Sequence, residues 1–526
     1  MNHRLKTPMP PKRNIINIGV LIIILIGTFL RFYKLEEAPL PANQDELSNI
    51  YDGYSIAETG ADRWGNNYPF LLRGFGDADN RPPLYSWMCA ISIQIFGFSI
   101  TAGRAPAGII GVLSLLFLFL VARKMGGDLF ALLALLLAAL SPWHILFSRM
   151  ALEAATLPSF FMILSIWFWL KLKESNHTIK YLILLGFTIG FGVNAYQSTK
   201  LIFFLLAVLI LIDSFRFSFS RLKYTLILAL FMLFGAFPQI YMAVFEPNKF
   251  FSRATNTMMK VSFSAEYFSN VVKNLFSNLS PHYLFLSFDY NNMSIARLLK
   301  IEILFFYLGL ICLFKVINPK GVLKPWHIYL LIFLAILPSS LTIDNPHALR
   351  ASSGVILYPM ISAAGILFIY NFFRGEKLKK GFAILIISAI TLNSSRIIYK
   401  YLNNWELKNA SHQNELVLLS QKINTLKNDY SKIFIENLGI QPYIYVATYC
   451  DIQPKEFQKM KKVYENRGVD KFKQLGKYYF FDKGKLIEYK KEKTGLNLIV
   501  FNSKNTEFEL IDSLVTRPET FYFYRH

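Results

Sequence analysis

Two adjacent acids, Asp45 and Glu46, follow soon after the first apolar run of this 526-residue chain. A carboxylate close to a membrane surface is costly to desolvate and usually has a partner or a purpose. Asp45 could accept a proton from an incoming hydroxyl or amine, which is the task of a general base. The structural alternative is that the pair simply begins a surface helix. Asp45 and Glu46 are therefore candidate catalytic acids, and both interpretations stay open at this point.

Arg81 stands before Pro82 and Pro83, two prolines that rigidify the chain where a second apolar stretch begins. An arginine held at that point can pair bidentately with a phosphate group. Ordinary interfacial snorkelling is the alternative, because long cationic side chains are common at the ends of membrane helices. Arg81 and the nearby Tyr85 are therefore candidate substrate-binding residues, and both interpretations of Arg81 stay open at this point.

Two later segments carry further candidates. Arg149 and Glu153 are four residues apart and share one helical face, where they could serve a site or simply pair with each other. His347 and Arg350 lie within one helical turn and could stabilise a leaving phosphate, although a lone histidine there is more often structural. The acids lack the compact spacing of metal ligands, which favours a metal-independent reaction and leaves a divalent metal as an open option.

The composition indicates a membrane protein, with 53% hydrophobic and 16% aromatic residues concentrated in long runs. The formal net charge is +22, but lysine and arginine fall in short clusters between apolar runs. No basic stripe typical of a nucleic-acid-binding module is present, so nucleic acid is not an expected partner. The three cysteines, Cys89, Cys312 and Cys450, lack ligand spacing, and we assign them no chemistry.

About eleven apolar stretches are long enough to cross roughly 30 Å of hydrocarbon. They are residues 14–32, 101–122, 127–147, 155–172, 180–196, 199–213, 223–243, 299–316, 326–342, 351–371 and 380–398. A further apolar stretch, residues 84–98, is short for a span and is predicted to be an interfacial or re-entrant helix.

The basic clusters set the orientation. With the N-terminus in the cytoplasm, the positive-inside rule is satisfied by clusters at residues 123–124, 171–180, 216–223, 315–324 and 374–380. The first apolar run resembles a signal peptide but lacks a small-residue cleavage site, so we expect it to remain as a membrane helix. The sequence thus predicts a multi-pass protein of the cytoplasmic (inner) membrane.

Three regions then face outward: residues 33–83, residues 244–298 and the chain after residue 400. We predict a transmembrane domain over residues 1–400 and a small extracytoplasmic α/β domain over residues 401–526. The α/β prediction rests on alternating strand-like and helical patterns. The strand-like runs are Lys432–Glu436, Tyr478–Asp482 and Leu496–Asn502, and the helical stretch is Pro454–Asn466.

The chain resembles the bacterial dolichyl-phosphate-mannose-protein mannosyltransferase-like family, membrane glycosyltransferases of the GT-C fold that include the lipid A aminoarabinose transferase. The likeness runs from the first helix through residue 400. It rests on motifs that occur in the family's order: Arg31-Phe32, Asp45-Glu46, Arg81-Pro82-Pro83-Leu84, Gly103-Arg104-Ala105-Pro106, Ser148-Arg149 and His347-Ala348-Leu349-Arg350.

The resemblance implies a catalytic acid at Asp45, with Glu46 beside it, and a second acid at Glu153, where the family more often has aspartate. Many relatives carry lysine in place of Arg81, which keeps the charge but changes the geometry. The sugar donor is implied to be carried on a polyprenyl phosphate. We expect its tail in an apolar groove near residues 84–98 of this membrane-embedded chain.

We therefore predict inverting transfer of a hexose or pentose from that carrier to a protein, lipid or glycan at the external face. Asp45 would deprotonate or orient the acceptor, and the leaving phosphate would meet positive charge rather than a general acid. The candidates for that charge are Arg81, His347, Arg350 and, more weakly, Arg149.

Two other functions stay open. A lipid-linked glycan ligase or polymerase of another polytopic class would share the membrane architecture, but its main catalytic loop would lie later in the chain. A non-enzymatic carrier or flippase would be favoured if Asp45 faced solvent with no cavity beside it. An ion-driven transporter is disfavoured, because few charges lie in the middle of the predicted spans.

Overall fold

The computed structural model describes most of the chain. The described residues are 13–39, 42–77, 79–174, 178–215, 222–286, 297–317, 321–404, 413–437, 441–466, 470–482, 496–505, 507–516 and 519–526. The chain divides into two compact units. The first unit contains the residues up to Leu35, Arg104–Pro247 and Ala254–Leu402, and the second contains Glu36–Gly103, Asn248–Arg253 and Asn403–His526.

Helices make up most of the described chain. In order they are α1 (Arg13–Phe32), α2 (Gln44–Thr59), α3 (Leu84–Phe96), α4 (Ile100–Leu140), α5 (Pro142–Phe147), α6 (Glu153–Glu174), α7 (Thr178–Val193), α8 (Thr199–Phe215), α9 (Leu222–Gly235), α10 (Phe237–Phe245), α11 (Pro247–Thr257), α12 (Ala265–Ser277), α13 (Ile303–Val316), α14 (Pro325–Ser340), α15 (Tyr358–Phe372), α16 (Glu376–Asn404), α17 (Gln413–Leu426), α18 (Pro442–Tyr449) and α19 (Pro454–Lys459).

Strands occur in two places. A short hairpin comprises β1 (Leu72–Arg73) and β2 (Asn80–Arg81). The C-terminal strands are β3 (Lys432–Glu436), β4 (Lys462–Asn466), β5 (Asp470–Leu475), β6 (Tyr478–Phe481), β7 (Asn497–Phe501), β8 (Glu509–Val515) and β9 (Thr520–Arg525).

Several helices are long and apolar enough to cross a membrane. Among the described residues these are α1, α4, the segment Ser352–Phe372 that ends with α15, and α16. The helices α9 and α10, which meet at a bend of 73°, form a fifth span if they count as one. Shorter apolar helices include α3, α7 and α14. The chain is a polytopic helical protein, and the number of about eleven spans stays a prediction.

Helix α4 contains a break at Gly127. The residue has φ +82° and ψ −175°, a backbone conformation that glycine adopts readily, and it divides the 41-residue helix into two apolar segments. This break lies at the first residue of the second of the two spans predicted at residues 101–122 and 127–147. The second segment ends at Leu140, earlier than predicted, because Ser141 caps the short helix α5 through the backbone N–H of His144.

A seven-stranded mixed sheet organises the C-terminal part of the second unit. Its strand order is β4-β5-β6-β3-β7-β9-β8. Strand β3 runs parallel to its neighbours β6 and β7, and the other neighbouring pairs are antiparallel. Every residue of β7 is buried, as expected for a strand covered on both faces. The three strands predicted in this region are present.

The helix predicted at Pro454–Asn466 is wrong in its second half. Helix α19 ends at Lys459, and residues 462–466 form β4, which pairs antiparallel with β5. Val463 and Tyr464 favour a pleated strand, and the Tyr464 ring stacks on Phe472 of the neighbouring strand at 5.2 Å. Pairing across the sheet therefore decides the conformation of this segment.

Residues 36–103, which contain most of the predicted first external loop, pack with the C-terminal segment in the second unit. The domain boundary at residue 400 stays a prediction. The Tyr51 hydroxyl donates a hydrogen bond to the Ile452 carbonyl at 2.8 Å. The Asp470 carboxylate pairs with Arg73 at 2.5 Å, and its backbone N–H donates to the Phe75 carbonyl at 2.7 Å. These contacts explain why residues 36–103 group with the C-terminal residues rather than with the membrane helices.

A buried ion pair closes this loop on itself. The Arg63 guanidinium lies 2.5 Å from the Asp52 carboxylate, and both side chains are essentially excluded from solvent. Arg63 also donates to the Ser48 hydroxyl at 2.8 Å and to the Gly74 carbonyl at 2.7 Å. Burial lowers the pKa of Arg63, but the nearby Asp52 carboxylate opposes this effect and helps to hold the pKa above its usual value. Arg63 thus ties helix α2 to the strand that follows it.

Replacement of Arg63 by methionine should destabilise the second unit by about 3–5 kcal/mol, because Asp52 would become an uncompensated buried charge. Thermal unfolding in detergent measures this as a lower Tm. The matched control is Arg525→Met, which removes a surface pair with Glu509 worth at most about 1 kcal/mol. Equal Tm values for the Arg63 variant and the wild type would show that the pair does not hold the loop.

Candidate active site

Helix α2 begins with a capping box that includes Glu46. The Asn43 side chain accepts a hydrogen bond from the Glu46 backbone N–H at 2.9 Å, and the Glu46 carboxylate accepts one from the Asn43 N–H at 3.4 Å. Glu46 is fully buried. Glu46 therefore fits the structural alternative, in which the acid pair begins a helix. Its carboxylate accepts a hydrogen bond from the backbone N–H of the N-cap residue.

Asp45 has a different environment although it is the adjacent residue. Its side chain is 44% exposed, and its Oδ1 accepts a hydrogen bond from the Arg81 guanidinium at 2.7 Å. A carboxylate in the first turn also interacts favourably with the positive end of the helix dipole. Of the two acids, Asp45 is the one that a substrate can reach.

Arg81 is held by the hairpin of β1 and β2, where it is paired with Leu72. The residue is almost fully buried. Besides Asp45, it contacts the Asp79 carboxylate through Nη2 at 2.6 Å and through Nε at 3.2 Å. Its guanidinium carbon lies 5.2 Å from the centre of the Phe75 ring. Arg81 therefore bridges two carboxylates in a fixed orientation.

Asp79 is a site residue that sequence reasoning missed. It accepts hydrogen bonds from Arg81, from the Phe75 backbone N–H at 3.2 Å and from the guanidinium of Arg253. Burial alone would raise the pKa of Asp79, but the guanidiniums of Arg81 and Arg253 hold it well below its usual range. Asp79 is two residues from Arg81 in the sequence, and this proximity is the local signal that could have found it. Arg253 is 174 residues from Asp79 and gave no such signal.

Tyr85 is fully buried in the second unit. Its hydroxyl donates a hydrogen bond to the Gly103 carbonyl at 3.0 Å, which joins the first turn of α3 to the start of α4. Substrate binding by Tyr85 stays a prediction, and the burial of the whole side chain argues against it.

Arg149 and Glu153 belong to the first unit. Arg149 donates hydrogen bonds to the carbonyls of Leu30 and Lys34, each at 2.8 Å, and its guanidinium lies 5.8 Å from the centre of the Tyr401 ring. These bonds satisfy one carbonyl in the last turn of α1 and one just after the helix. Glu153 is buried in the first turn of α6, where a carboxylate complements the helix dipole. Its catalytic role stays a prediction.

His347 and Arg350 also belong to the first unit, in the segment that follows α14. Arg350 donates to the Thr342 hydroxyl at 2.9 Å, and its Nη2 lies 3.6 Å from the Asp344 carboxylate. The His347 backbone N–H donates to the Ser339 hydroxyl at 2.9 Å. These contacts order the segment around the two predicted phosphate-binding side chains.

The structure thus brings Asp45 and Arg81 into direct contact and adds Asp79 and Arg253. In the part of the chain that the structure describes, no group of three or more His, Cys, Asp or Glu residues could hold a metal ion. The two aspartates face guanidinium groups, which supply positive charge at this position. A divalent metal stays an untested option.

Comparisons with known proteins agree on the fold. Residues 80–241 match the family model for dolichyl-phosphate-mannose-protein mannosyltransferase. The structure of ArnT from Cupriavidus metallidurans bound to undecaprenyl phosphate superposes with a TM-score of 0.57 at 10% identity, covering 98% of each chain. The apo form of the Archaeoglobus fulgidus oligosaccharyltransferase gives 0.53 at 12% identity, covering 84% of this chain and 64% of that one. A search of curated proteins found no match.

The chain therefore has the GT-C fold of polytopic membrane glycosyltransferases. More particularly, its resemblance to the dolichyl-phosphate-mannose-protein mannosyltransferase family and to the aminoarabinose transferase ArnT is confirmed. The present chain spans less than two thirds of the archaeal oligosaccharyltransferase, whereas it spans nearly all of ArnT.

The lowered pKa of Asp79 predicts a pH dependence of stability. The unfolded chain protonates this carboxylate near pH 4, while the folded protein keeps it ionised at lower pH. The contribution of the ionised Asp79 carboxylate to the free energy of unfolding is therefore complete above about pH 4 and is lost as the pH falls further. Unfolding curves between pH 7 and pH 3 should show a smaller loss of Tm for Asp79→Asn than for the wild type. Parallel curves would contradict the assignment.

Proposed function

We propose that this protein is a membrane glycosyltransferase that moves a sugar from a polyprenyl-phosphate carrier to an acceptor at the external face of the cytoplasmic membrane. The GT-C fold and the family match over residues 80–241 support this reaction class. Undecaprenyl phosphate bound to the similar ArnT structure supports a lipid-phosphate donor. The sugar, a hexose or pentose, and the acceptor, a protein, lipid or glycan, are to be identified by assay.

The observation that carries the proposal is the contrast between Asp45 and Glu46. A general base must be accessible, ionised and held in one orientation. Asp45 is partly exposed and is held by a charge-assisted bond from Arg81, whereas Glu46 is buried and caps the helix. We therefore assign the base to Asp45 alone.

In the proposed step, Asp45 takes the proton of the acceptor hydroxyl or amine. The freed lone pair of the acceptor forms a bond to the anomeric carbon as the bond from that carbon to the phosphate oxygen breaks, with inversion. The electron pair of the broken bond leaves with the phosphate, which needs positive charge nearby and no general acid. His347, Arg350 and Arg149 stay predictions for that charge.

Arg81 acts in this proposal chiefly as a positioning residue. Its donors already face Asp45 and Asp79, so two carboxylates offset its charge before any substrate binds. The planar guanidinium can bridge two acids in a way that an ammonium group cannot. Arg81 therefore fixes the direction of the Asp45 carboxylate.

Asp45→Asn should lower sugar transfer by about 10²–10⁴-fold, the usual contribution of a general base. The assay follows radiolabelled sugar from polyprenyl-phosphate monosaccharides and from polyprenyl-diphosphate oligosaccharides into cell-envelope extract, using purified proteins of matched Tm. Glu46→Gln should keep activity, because glutamine also completes a capping box. Asp77→Asn is a surface control, since Asp77 is largely exposed and pairs only weakly with Arg73.

Loss of activity in Glu46→Gln with retention in Asp45→Asn would reverse the assignment of the base. Transfer from the oligosaccharide diphosphates alone would favour the ligase function. No transfer by the wild type from any donor would contradict the proposed enzyme class and support a carrier.

Arg81→Lys should lower kcat by about 10²-fold, because a small displacement of a catalytic group has an effect of that size. The KM for the donor should change less, since the positive charge is kept. Steady-state kinetics over a range of donor concentrations separate the two constants. A raised KM with an unchanged kcat would instead identify Arg81 as a donor-binding residue.

A further inference from the structure

Helix α12 has three distinct faces. One face packs on other residues of the first unit: the Asn274 side chain donates to the Ser340 carbonyl at 3.1 Å, and Val271 and Leu275 are half-buried. A second face is exposed and polar, with Glu266 and Lys273. The third face is exposed and apolar. A helix in water alone has no reason to divide its exposed surface in this way.

The exposed apolar face is a continuous stripe of Phe268, Val272 and Phe276. Their spacing of four residues places them on one side of the helix, and they are 54%, 50% and 72% exposed. The chain just before the helix adds Phe263, which is 95% exposed. Large apolar side chains arranged contiguously at a surface indicate an interaction site.

Contacts of α12 fix its depth relative to the membrane helices of the same unit. Ser340, its hydrogen-bonding partner, is the last residue of the apolar helix α14. The residue after α12, Asn278, donates to the Ser340 hydroxyl at 3.2 Å and to the Asn345 side chain at 2.6 Å. The chain before α12 is joined there as well, since the Met259 N–H donates to the Leu341 carbonyl at 2.9 Å. Helix α12 therefore lies where an apolar helix ends.

We propose that α12 is an in-plane interfacial helix whose Phe268, Val272 and Phe276 side chains enter the lipid at the membrane surface. An amphipathic helix at this level places its apolar face among the acyl chains and its polar face among the head groups. The polar face with Glu266 and Lys273 adjoins the stripe, as this placement requires. The inference rests on the membrane fold and does not require the proposed transfer reaction.

This placement has a consequence for the segment of His347 and Arg350. The hydrogen bonds from Asn278 to Ser340 and Asn345 join α12 to the chain that carries those two side chains. Insertion of α12 in the lipid therefore holds that segment at the membrane surface, the level at which a lipid-borne phosphate group lies.

Site-directed spin labelling tests the proposal in the full-length protein reconstituted into phospholipid vesicles. Single cysteines replace Phe268, Val272 or Asn270, and each carries a nitroxide label. The native cysteines are buried, and unsubstituted protein gives their background signal. Asn270 is the matched control, because it is exposed and lies about 200° around the helix from Val272. The measurement compares accessibility to oxygen, which concentrates in lipid, with accessibility to a water-soluble nickel chelate.

Labels at residues 268 and 272 should favour oxygen over the nickel chelate, and the label at residue 270 should show the reverse order. Nickel accessibility at 268 and 272 equal to that at 270 would place the stripe in water and overturn the proposal. Low accessibility to both reagents at 268 and 272, with 270 still open, would show that another protein or a second copy covers the stripe, and would overturn it as well.

Discussion

The bridge that Arg81 makes between Asp45 and Asp79 is the constraint on which the rest of the candidate site depends. Arg81 is buried, so its charge has to be offset within the protein. The Asp79 carboxylate offsets this charge on the inner side, where Asp79 also contacts Arg253 and the Phe75 backbone. The Asp45 carboxylate offsets it on the outer side, at the surface. An accessible carboxylate is thereby fixed by a buried network rather than by its own rotamer preference.

The C-terminal segment supports the loop that holds Arg81. Among the described residues of 36–103, the regular structure consists of α2, α3, the first residues of α4 and the hairpin of β1 and β2, whose strands have two residues each. Asp470 binds both Arg73 and the Phe75 backbone, so the sheet reaches the hairpin that holds Arg81. The rigidity of a seven-stranded sheet is thus extended to the loop that holds the candidate site residues Asp45 and Arg81. This explains how a domain with no catalytic motif of its own can matter for the site.

The sequence predicted those features that depend on local patterns. Strand β3 begins and ends at the predicted residues, because an apolar β-rich run carries its own signal. The segment after Lys459 was predicted to continue as helix, but its strand forms only through pairing with β5. Asp79 and Arg253 could not be paired in advance, since the chain between them gives no local indication of their contact. Long-range contacts of this kind are a property of the fold.

The roles of the two adjacent acids follow from helix geometry. Neighbouring residues point about 100° apart around a helix, so the side chains of Asp45 and Glu46 leave the first turn of α2 in different directions. The acid three residues after the N-cap Asn43 is Glu46, and its longer side chain can turn back to the N-cap N–H. That leaves the shorter Asp45 on the outer side of the first turn, facing Arg81. The spacing from Asn43 to Glu46 is visible in the sequence and separates the acid that caps the helix from the acid that stays accessible.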